Sequence, residues 1–237
     1  MIESLDNKKV KEWMKLHEKK YRDETNLFLI EDKHLINEAK KYNIIQEIIS
    51  IEEIEEQNIT IHLVSKRIMA KLSKQNTPSK IIAVCKKLEE KEIGNKVLIL
   101  DQIQDPGNLG TMIRSAVAFH FDTIIMSTDS VDLYNEKVIR ATEGMLFHIN
   151  IIRAELLDYL AKMTDYQIFK TDVENGVNVK NIEFMDKVAI IIGNEGKGIQ
   201  SSIKEKIKNA IYIPMNENCE SLNAAISASI IMYEVGR

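Results

Sequence analysis

The 237-residue chain has few of the residues that define several classes of protein. Its two cysteines, Cys85 and Cys219, are too few for a disulfide framework, and their spacing matches no metal site. No apolar run approaches the roughly 18 residues that a membrane helix needs. The segment that starts at Met1 does not have the layout of a signal peptide. The composition therefore predicts a reduced, cytoplasmic protein without a metal site or a membrane anchor.

The chain also lacks the excess of positive charge that commonly accompanies nucleic-acid binding. It has 32 Lys and Arg residues and 36 Asp and Glu residues, which gives a net charge of −4. Residues 1–90 carry 17 basic and 16 acidic side chains, whereas residues 91–237 carry 15 and 20. Any RNA binding must therefore use local patches. The lysines between Lys8 and Arg22 are one candidate, although the acidic residues among them favour an ordinary solvated helix face.

Helix-like and strand-like segments alternate along the sequence, which indicates an α/β protein. Between Val10 and Cys85 the segments are short, as in a small α/β domain. Residues 88–95 are charged and contain a glycine, which is typical of a linker. We therefore predict two domains, a smaller one over residues 1–90 and a larger one over residues 91–237.

A first polar segment of functional interest follows Lys96–Leu100, an apolar run typical of a buried parallel strand. A Pro-Gly turn comes next, Asn108 is suited to cap the following helix, and Gly110 permits close approach. Arg114 lies about two turns into that helix. The pattern by itself is that of an anion-binding turn with a surface arginine.

A second segment is the glycine-rich turn after Lys187–Ile192, the most apolar strand of the sequence. Gly193, Gly196 and Gly198 allow a backbone to approach a ligand closely. A dinucleotide-binding fingerprint requires G-x-G-x-x-G after the first strand of a βαβ unit. Here the order is G-x-x-G-x-G and the turn comes late, which disfavours a nucleotide-cofactor oxidoreductase. The glycines alone fit a cofactor site and a structural turn about equally well.

The third segment is C-terminal and predicts a strand, Ile211–Ile213, a polar loop and a helix with a face of small residues. Ser221 is suited to cap that helix. Ser221 and Asn223 lie near its start, where free N–H groups bind polar or anionic ligands. A buried C-terminal helix explains the small residues but not these two polar side chains.

Together the three segments resemble the three motifs of the SpoU (TrmH) family of RNA ribose 2′-O-methyltransferases, which belongs to the knotted SPOUT class. The matching residues are Asn108, Gly110 and Arg114, then Gly193, Glu195, Gly196 and Gly198, then Ile213-Pro-Met, Ser221-Leu-Asn-Ala and Tyr233-Glu. The resemblance covers nearly the whole chain. It implies a C-terminal α/β trefoil-knot domain and a smaller N-terminal α/β RNA-binding domain similar to a small ribosomal protein. The chain departs from the family pattern at Asp32, where glycine is usual, and at Thr142-Glu-Gly144, where Ser-Ala-Gly is frequent.

The resemblance further implies methyl transfer from S-adenosylmethionine to a ribose 2′-hydroxyl of RNA, with 23S rRNA favoured. It makes Arg114 the principal catalytic residue, which would anchor a phosphate and stabilise the developing alkoxide. Four residues would support it, namely Asn108, Glu195, Ser221 and Asn223. The implied cofactor contacts are Gly193, Ile213, Leu222, Thr171, Gly198, Met215 and Asn218.

The family also implies a homodimer with the active site near the interface, and it implies no metal. A tRNA methyltransferase and a catalytically silent RNA-binding relative are the alternatives. The sequence leaves open which nucleotide is modified and whether the modification confers antibiotic resistance.

Overall fold

The computed structural model describes all residues, 1–237, and the chain folds into two compact units. The helices are α1 Lys8–Lys15, α2 Lys19–Thr25, α3 Lys33–Lys40, α4 Lys66–Leu72, α5 Pro106–Ala118, α6 Glu136–Ala141, α7 Leu156–Lys162, α8 Ser201–Lys206 and α9 Ala224–Gly236. The strands are β1 Leu27–Glu31, β2 Ile45–Ser50, β3 Thr60–Leu63, β4 Ile81–Lys86, β5 Lys96–Leu100, β6 Thr123–Ser127, β7 Asn150–Ala154, β8 Gln167–Thr171, β9 Val177–Asn178, β10 Val188–Ile192 and β11 Ala210–Tyr212. None of the helices combines the length and hydrophobicity that spanning a bilayer would require.

The first unit comprises Met1–Glu89 together with Asp132–Phe147, and the second comprises the remaining residues. The sequence-based division at residue 90 did not anticipate that the segment 132–147 belongs with the first unit. The segment is held there by Asp132, whose carboxylate accepts a 3.2 Å hydrogen bond from Nε of the buried Arg22. A buried guanidinium requires such a partner, and local sequence patterns do not reveal a partner 110 residues away.

The first unit contains a four-stranded sheet of order β1-β4-β2-β3, in which β4 runs antiparallel to both of its neighbours. Apolar side chains of α1 and α4 pack on this sheet, and Trp13, Ile49, Leu72 and Ile82 lie in the shared core. The alternation of short helices and strands predicted for this region is therefore present.

Both departures from the family pattern fall at backbone positions that favour glycine. Asp32 has a φ of 99° and Glu143 a φ of 49°. The Asp32 side chain caps α3, since its Oδ1 accepts a 2.7 Å hydrogen bond from the N–H of His34. An aspartate thus preserves the turn at this position, with the cap offsetting part of the backbone strain.

The second unit is built on a seven-stranded parallel sheet of order β7-β6-β5-β10-β8-β11-β9. Helices cover both faces of such a sheet, which explains why its central strands β5, β6 and β10 are mostly apolar. All five residues of β10 are buried, as are all five of β6. The α/β architecture and the positions of the central strands agree with those expected from the sequence.

Strand β11 lies between β8 and β9, which are consecutive along the chain and are joined by Asp172–Gly176. The connection must therefore pass the end of β11, as the predicted knot requires. Gly176 lies at the crossing, because a Cβ atom added there would be 2.8 Å from the carbonyl carbon of Ile211 and 2.5 Å from the Asp172 oxygen. The threaded arrangement thus depends on a position without a side chain.

We predict that Gly176→Ala destabilises the protein by about 1–3 kcal/mol, the usual cost of inserting a methyl group into a closely packed site. The neighbouring atoms are backbone atoms and cannot rotate away. Gly196→Ala is the matched control, because the nearest atom to its added Cβ lies 3.8 Å away. The midpoint of urea unfolding measures both, and equal midpoints for the two variants would contradict the proposed crossing.

Candidate active site

The loops that follow β5, β8, β10 and β11 converge at one edge of the parallel sheet. These four strands are neighbours in the sheet order, and all run in the same direction. The carboxyl ends of neighbouring parallel strands therefore meet, which is where open α/β sheets bind ligands.

A chain of side-chain hydrogen bonds connects the three sequence motifs at this edge. Asn223 donates through Nδ2 to Oδ1 of Asn108 at 2.9 Å. Asn108 in turn donates through Nδ2 to Oε1 of Glu195 at 3.0 Å. Residues 87 and 115 positions apart in the sequence are thus held in contact.

The helix caps differ from those expected. Asp105 caps α5, accepting a 2.7 Å hydrogen bond from the N–H of Asn108. Asn223 caps α9, with Oδ1 accepting from the N–H groups of Ala225 and Ile226. The expected caps, Asn108 and Ser221, were therefore wrong. Because Asp105 caps α5, the Asn108 side chain is available to bridge Asn223 and Glu195.

Glu195 is the acceptor at which this network ends. Besides Asn108, the backbone N–H groups of Asp105 and Gln104 point to its carboxylate, at 3.3 and 3.5 Å. Partial burial acts to raise the pKa of Glu195, but the hydrogen bonds from Asn108 and the backbone outweigh it and hold the pKa below its usual value. The carboxylate is therefore ionised at neutral pH.

Two further hydrogen-bonded contacts join the loop after β5 to the turn after β10. The fully buried Asp101 accepts from the backbone N–H of Gln200 at 2.7 Å and from its Nε2 at 2.6 Å. Asn194 donates to the Gln102 carbonyl at 2.8 Å. Both ends of the glycine-rich turn are thus hydrogen bonded to the loop after β5.

A cleft of about 670 Å³ opens beside this network, within the size range of small-molecule sites. Apolar side chains form much of its wall, and they are Ile192, Ile199, Ile211, Ile213, Met215, Leu222 and Ile231. The cleft can therefore enclose a flat apolar group such as a purine base.

The glycine-rich turn forms one wall of the cleft through its backbone. Asn194 and Gly198 exchange backbone hydrogen bonds of 3.0 and 2.9 Å, and Gly198 has a φ of 68°. A Cβ atom at Gly193 would lie 2.3 Å from the carbonyl carbon of Gly198. Only glycine fits this position, because the turn folds closely on itself there. Gly193 also lines the cleft, where its backbone can contact a bound nucleoside.

The charged side chains of the cleft wall are mainly acidic. Asp172, Glu174 and Glu195 contribute carboxylates, and Lys204 contributes an ammonium group. Burial acts to raise the pKa of Asp172, but hydrogen bonds from the backbone N–H groups of Asn175 and Glu174 outweigh it and lower that pKa. A surplus of negative charge suits a ligand with a net positive charge, such as a sulfonium compound.

Most of the sequence-predicted cofactor residues line this one cleft. They are Thr171, Gly193, Gly198, Ile213, Met215 and Leu222. Asn218 does not line it, and its N–H donates to Oδ1 of Asn216 at 3.0 Å. The residues fit an adenosine-containing sulfonium cofactor, because an apolar slot, a side-chain-free wall and acidic groups occur together.

The predicted catalytic residues separate into two groups. Glu195 and Ser221 line the cleft. Asn108 is hydrogen bonded to Glu195, and Asn223 is hydrogen bonded to Asn108. Arg114 is exposed, does not line the cleft of its own chain, and forms no hydrogen bond or ion pair. Its guanidinium is therefore free to bind another molecule.

Several residues of the cleft were not anticipated from the sequence. They are Asp172, Val173, Glu174, Asn175, Lys204, Tyr212, Ala224, Ser227 and Ile231. The segment after β8 has the composition of a turn, which was the one available sign that it could border a site. The sequence indicated only the start of α9, because the contributions of α8 and of the later turns of α9 depend on how the chain passes between β8 and β9.

The fold is shared with solved RNA methyltransferases. The crystal structure of an AdoMet-bound rRNA methyltransferase from Sinorhizobium meliloti superposes with a TM-score of 0.88 at 26% identity, covering 98% of this chain and 95% of that one. An RNA 2′-O ribose methyltransferase superposes with a TM-score of 0.80 at 27% identity, covering 98% and 96%. The protein therefore has the fold of an RNA methyltransferase of the SPOUT class.

Sequence comparison narrows this class to one family. The sequence model of the SpoU rRNA methylase family matches residues 95–233, and that of the MRM3-like substrate binding domain matches residues 7–83. The chain belongs to the SpoU rRNA methylase family. A relative in Bacillus subtilis (strain 168), named 23S rRNA (guanosine(2553)-2′-O)-methyltransferase RlmP, is 39% identical over 99% of this chain and 98% of its own length. The family resemblance inferred from the three motifs is thereby confirmed.

We predict that Glu195→Gln lowers the free energy of unfolding at neutral pH, because the ionised carboxylate binds its three donors more strongly than an amide does. The folded-state pKa is depressed, so this stabilisation is complete above the ordinary glutamate pKa of 4.5. It should disappear as the pH falls through the lower, folded-state value. Urea unfolding between pH 3 and pH 7, roughly the range over which glutamate titrates, measures the difference from the unaltered protein.

Glu205→Gln on α8 is the control, since the Glu205 carboxylate has no hydrogen-bond or ion-pair partner. It should leave the free energy of unfolding unchanged at each pH. A difference for Glu195→Gln that persists at the acid end would show that the variant acts through packing instead of charge.

Proposed function

We propose that this chain transfers a methyl group from S-adenosylmethionine to the 2′-hydroxyl of a ribose in 23S rRNA. The observation that carries the proposal is that Gly193, Ile213 and Leu222 line one cleft beside the Asn108–Glu195 hydrogen bond. Family membership supplies the class of reaction. The named activity of the B. subtilis relative supplies the substrate, and we take its guanosine 2553 as the proposed target. We also propose a cytoplasmic location, because the proposed substrate is rRNA.

The cofactor supplies a methyl group activated by a sulfonium. We assign the adenosine part to the slot between the glycine-rich turn and the loop after β11, where Ile213, Met215 and Leu222 provide apolar contact. Gly193 and Gly198 would contribute backbone contacts, and Thr171 lies at the end of β8. We propose no cofactor role for Asn218.

The methyl acceptor requires a group that aligns the ribose and stabilises its oxygen as the proton leaves. Arg114 is suited to this role because its guanidinium has no partner within the chain. An arginine does not deprotonate near neutral pH, so it acts by binding a phosphate and the developing alkoxide and not as a base. Asn108, Glu195 and Asn223 would position the start of α5, on which Arg114 lies, and Ser221 would border the ribose.

We further propose a homodimer in which Arg114 serves the cleft of the partner. Helices α5 and α9 pack together within the chain, and Ser115 and Ser229 hydrogen bond at 2.7 Å between them. Ile226 and Tyr233 of α9 are both 51% exposed, which leaves apolar surface beside Arg114's helix. A second copy on this surface would bring Arg114 to a cleft that its own chain does not offer it.

Arg114→Ala should abolish methyl transfer while leaving S-adenosylmethionine binding intact. Loss of a single donor to a developing oxyanion lowers turnover by about 10²–10³-fold, whereas the cofactor cleft does not contain this side chain. Methyl transfer to a 23S rRNA fragment and cofactor titration calorimetry measure the two effects. Arg114→Lys is the control, since it keeps the charge but loses bidentate geometry, and it should retain partial activity. Loss of cofactor binding in Arg114→Ala would contradict the assigned role.

Deleting the gene should remove one 2′-O-methyl mark from 23S rRNA, at the guanosine named for the B. subtilis relative. Mapping of 2′-O-methyl positions in total RNA, with and without the gene, measures this directly. The unaltered gene should restore the mark, and Arg114→Ala should not. Loss of a mark from tRNA instead would overturn the rRNA assignment, and failure of the purified chain to bind S-adenosylmethionine would favour a silent RNA-binding relative.

A further inference from the structure

We propose that Lys204 binds the amino-acid carboxylate of S-adenosylmethionine and so selects ligands with a methionine-type tail. This assignment rests on the proposed function. Lys204 lies on α8, outside the three family motifs, and it lines the cofactor cleft.

The position of the ammonium group points to the cleft wall. Nζ of Lys204 lies 3.9 Å from the point where a Cβ atom on Gly198 would stand, and Gly198 itself lines the cleft. The backbone at Lys204 is held, because its carbonyl accepts a 2.8 Å hydrogen bond from Nζ of Lys170 and its N–H donates to the Gln200 carbonyl at 2.9 Å. The Lys204 side chain therefore extends from a backbone position that hydrogen bonds hold in place.

The ammonium group of Lys204 has no partner within the protein. Neighbouring lysines are engaged, since Lys170 binds the Lys204 carbonyl and Lys206 donates to the Leu157 carbonyl at 3.2 Å. The cleft carboxylates of Asp172 and Glu174 form no ion pair with Lys204 within 4.0 Å. Its charge is thus available to a ligand.

Charge complementarity identifies the ligand group. S-adenosylmethionine carries two positive groups, the sulfonium and the α-ammonium, and a single negative group, the carboxylate. Among the residues that line the cleft, Asp172, Glu174 and Glu195 are acidic and Lys204 alone is basic. Placing the carboxylate at Lys204 leaves the two positive groups to the acidic wall, whereas placing a positive group at Lys204 or the carboxylate against the acidic residues brings like charges together.

The test is titration calorimetry of the full chain with S-adenosylmethionine, S-adenosylhomocysteine and 5′-methylthioadenosine. The last compound keeps the adenosine and the sulfur but lacks the amino-acid tail. Lys204→Met should raise the Kd of the first two compounds by about two- to fivefold, as expected for an exposed charge pair. It should leave the Kd of 5′-methylthioadenosine unchanged. Lys204→Arg should bind all three compounds like the unaltered protein.

Lys206→Met is the matched control, because it removes the same charge from the same helix while its ammonium group binds the Leu157 carbonyl away from the cleft. It should leave all three affinities unchanged. An equal loss of 5′-methylthioadenosine affinity in Lys204→Met would overturn the assignment, since the side chain would then support the adenosine slot.

Two other outcomes have separate meanings. Unchanged affinity for all three compounds, with a raised KM for RNA, would overturn the assignment and make Lys204 a phosphate contact. If the unaltered chain bound none of the three compounds, the proposed function itself would fail, and the role of Lys204 with it.

Discussion

The hydrogen bonds from Asn223 to Asn108 and from Asn108 to Glu195 determine how the functional parts of this protein lie relative to one another. Each of the three residues belongs to a different motif, and each follows a different strand of one parallel sheet. The hydrogen bonds to Glu195 are the strongest of the network, because an ionised carboxylate binds N–H donors more strongly than a neutral acceptor does. The starts of α5 and α9 are thereby fixed at the cleft.

The sheet explains why such a network can form at all. Parallel strands end at a common edge, and the insertion of β11 between β8 and β9 brings the last loop of the chain to that edge. The insertion imposes a close backbone contact at Gly176, and the tight fold of the glycine-rich turn imposes another at Gly193. Both lie where a methyl group would overlap backbone atoms, so the absence of a side chain is a condition of the fold and of the cleft together.

Electrostatics has a local role in this protein. A net charge of −4 gives no general attraction for RNA. The cleft is acidic, in accord with a sulfonium cofactor, whereas Arg114 presents an unpaired guanidinium on exposed surface outside that cleft. In the proposed function the acidic wall of the cleft attracts the cofactor, and Arg114 of the second copy supplies the positive charge that the RNA phosphate needs.

The sequence by itself determined the elements of the second unit and the family. Apolar runs such as Lys96–Leu100 and Lys187–Ile192 predict buried strands from their own composition, and both occur in the structure with at most one residue of difference. The motif residues Gly193, Ile213 and Leu222 were likewise identified from patterns of residues close together along the chain, and the structure places all three in one cleft.

Only the tertiary structure decided the remaining features. Asp105 and not Asn108 caps α5, Lys204 enters the cleft, and residues 132–147 join the first unit. Each depends on partners distant in sequence, up to 115 positions in the case of Asn108 and Asn223. Periodicity and composition report on neighbours within one element, whereas these contacts follow from the order in which strands enter the sheet. That order is set by the packing of the whole chain.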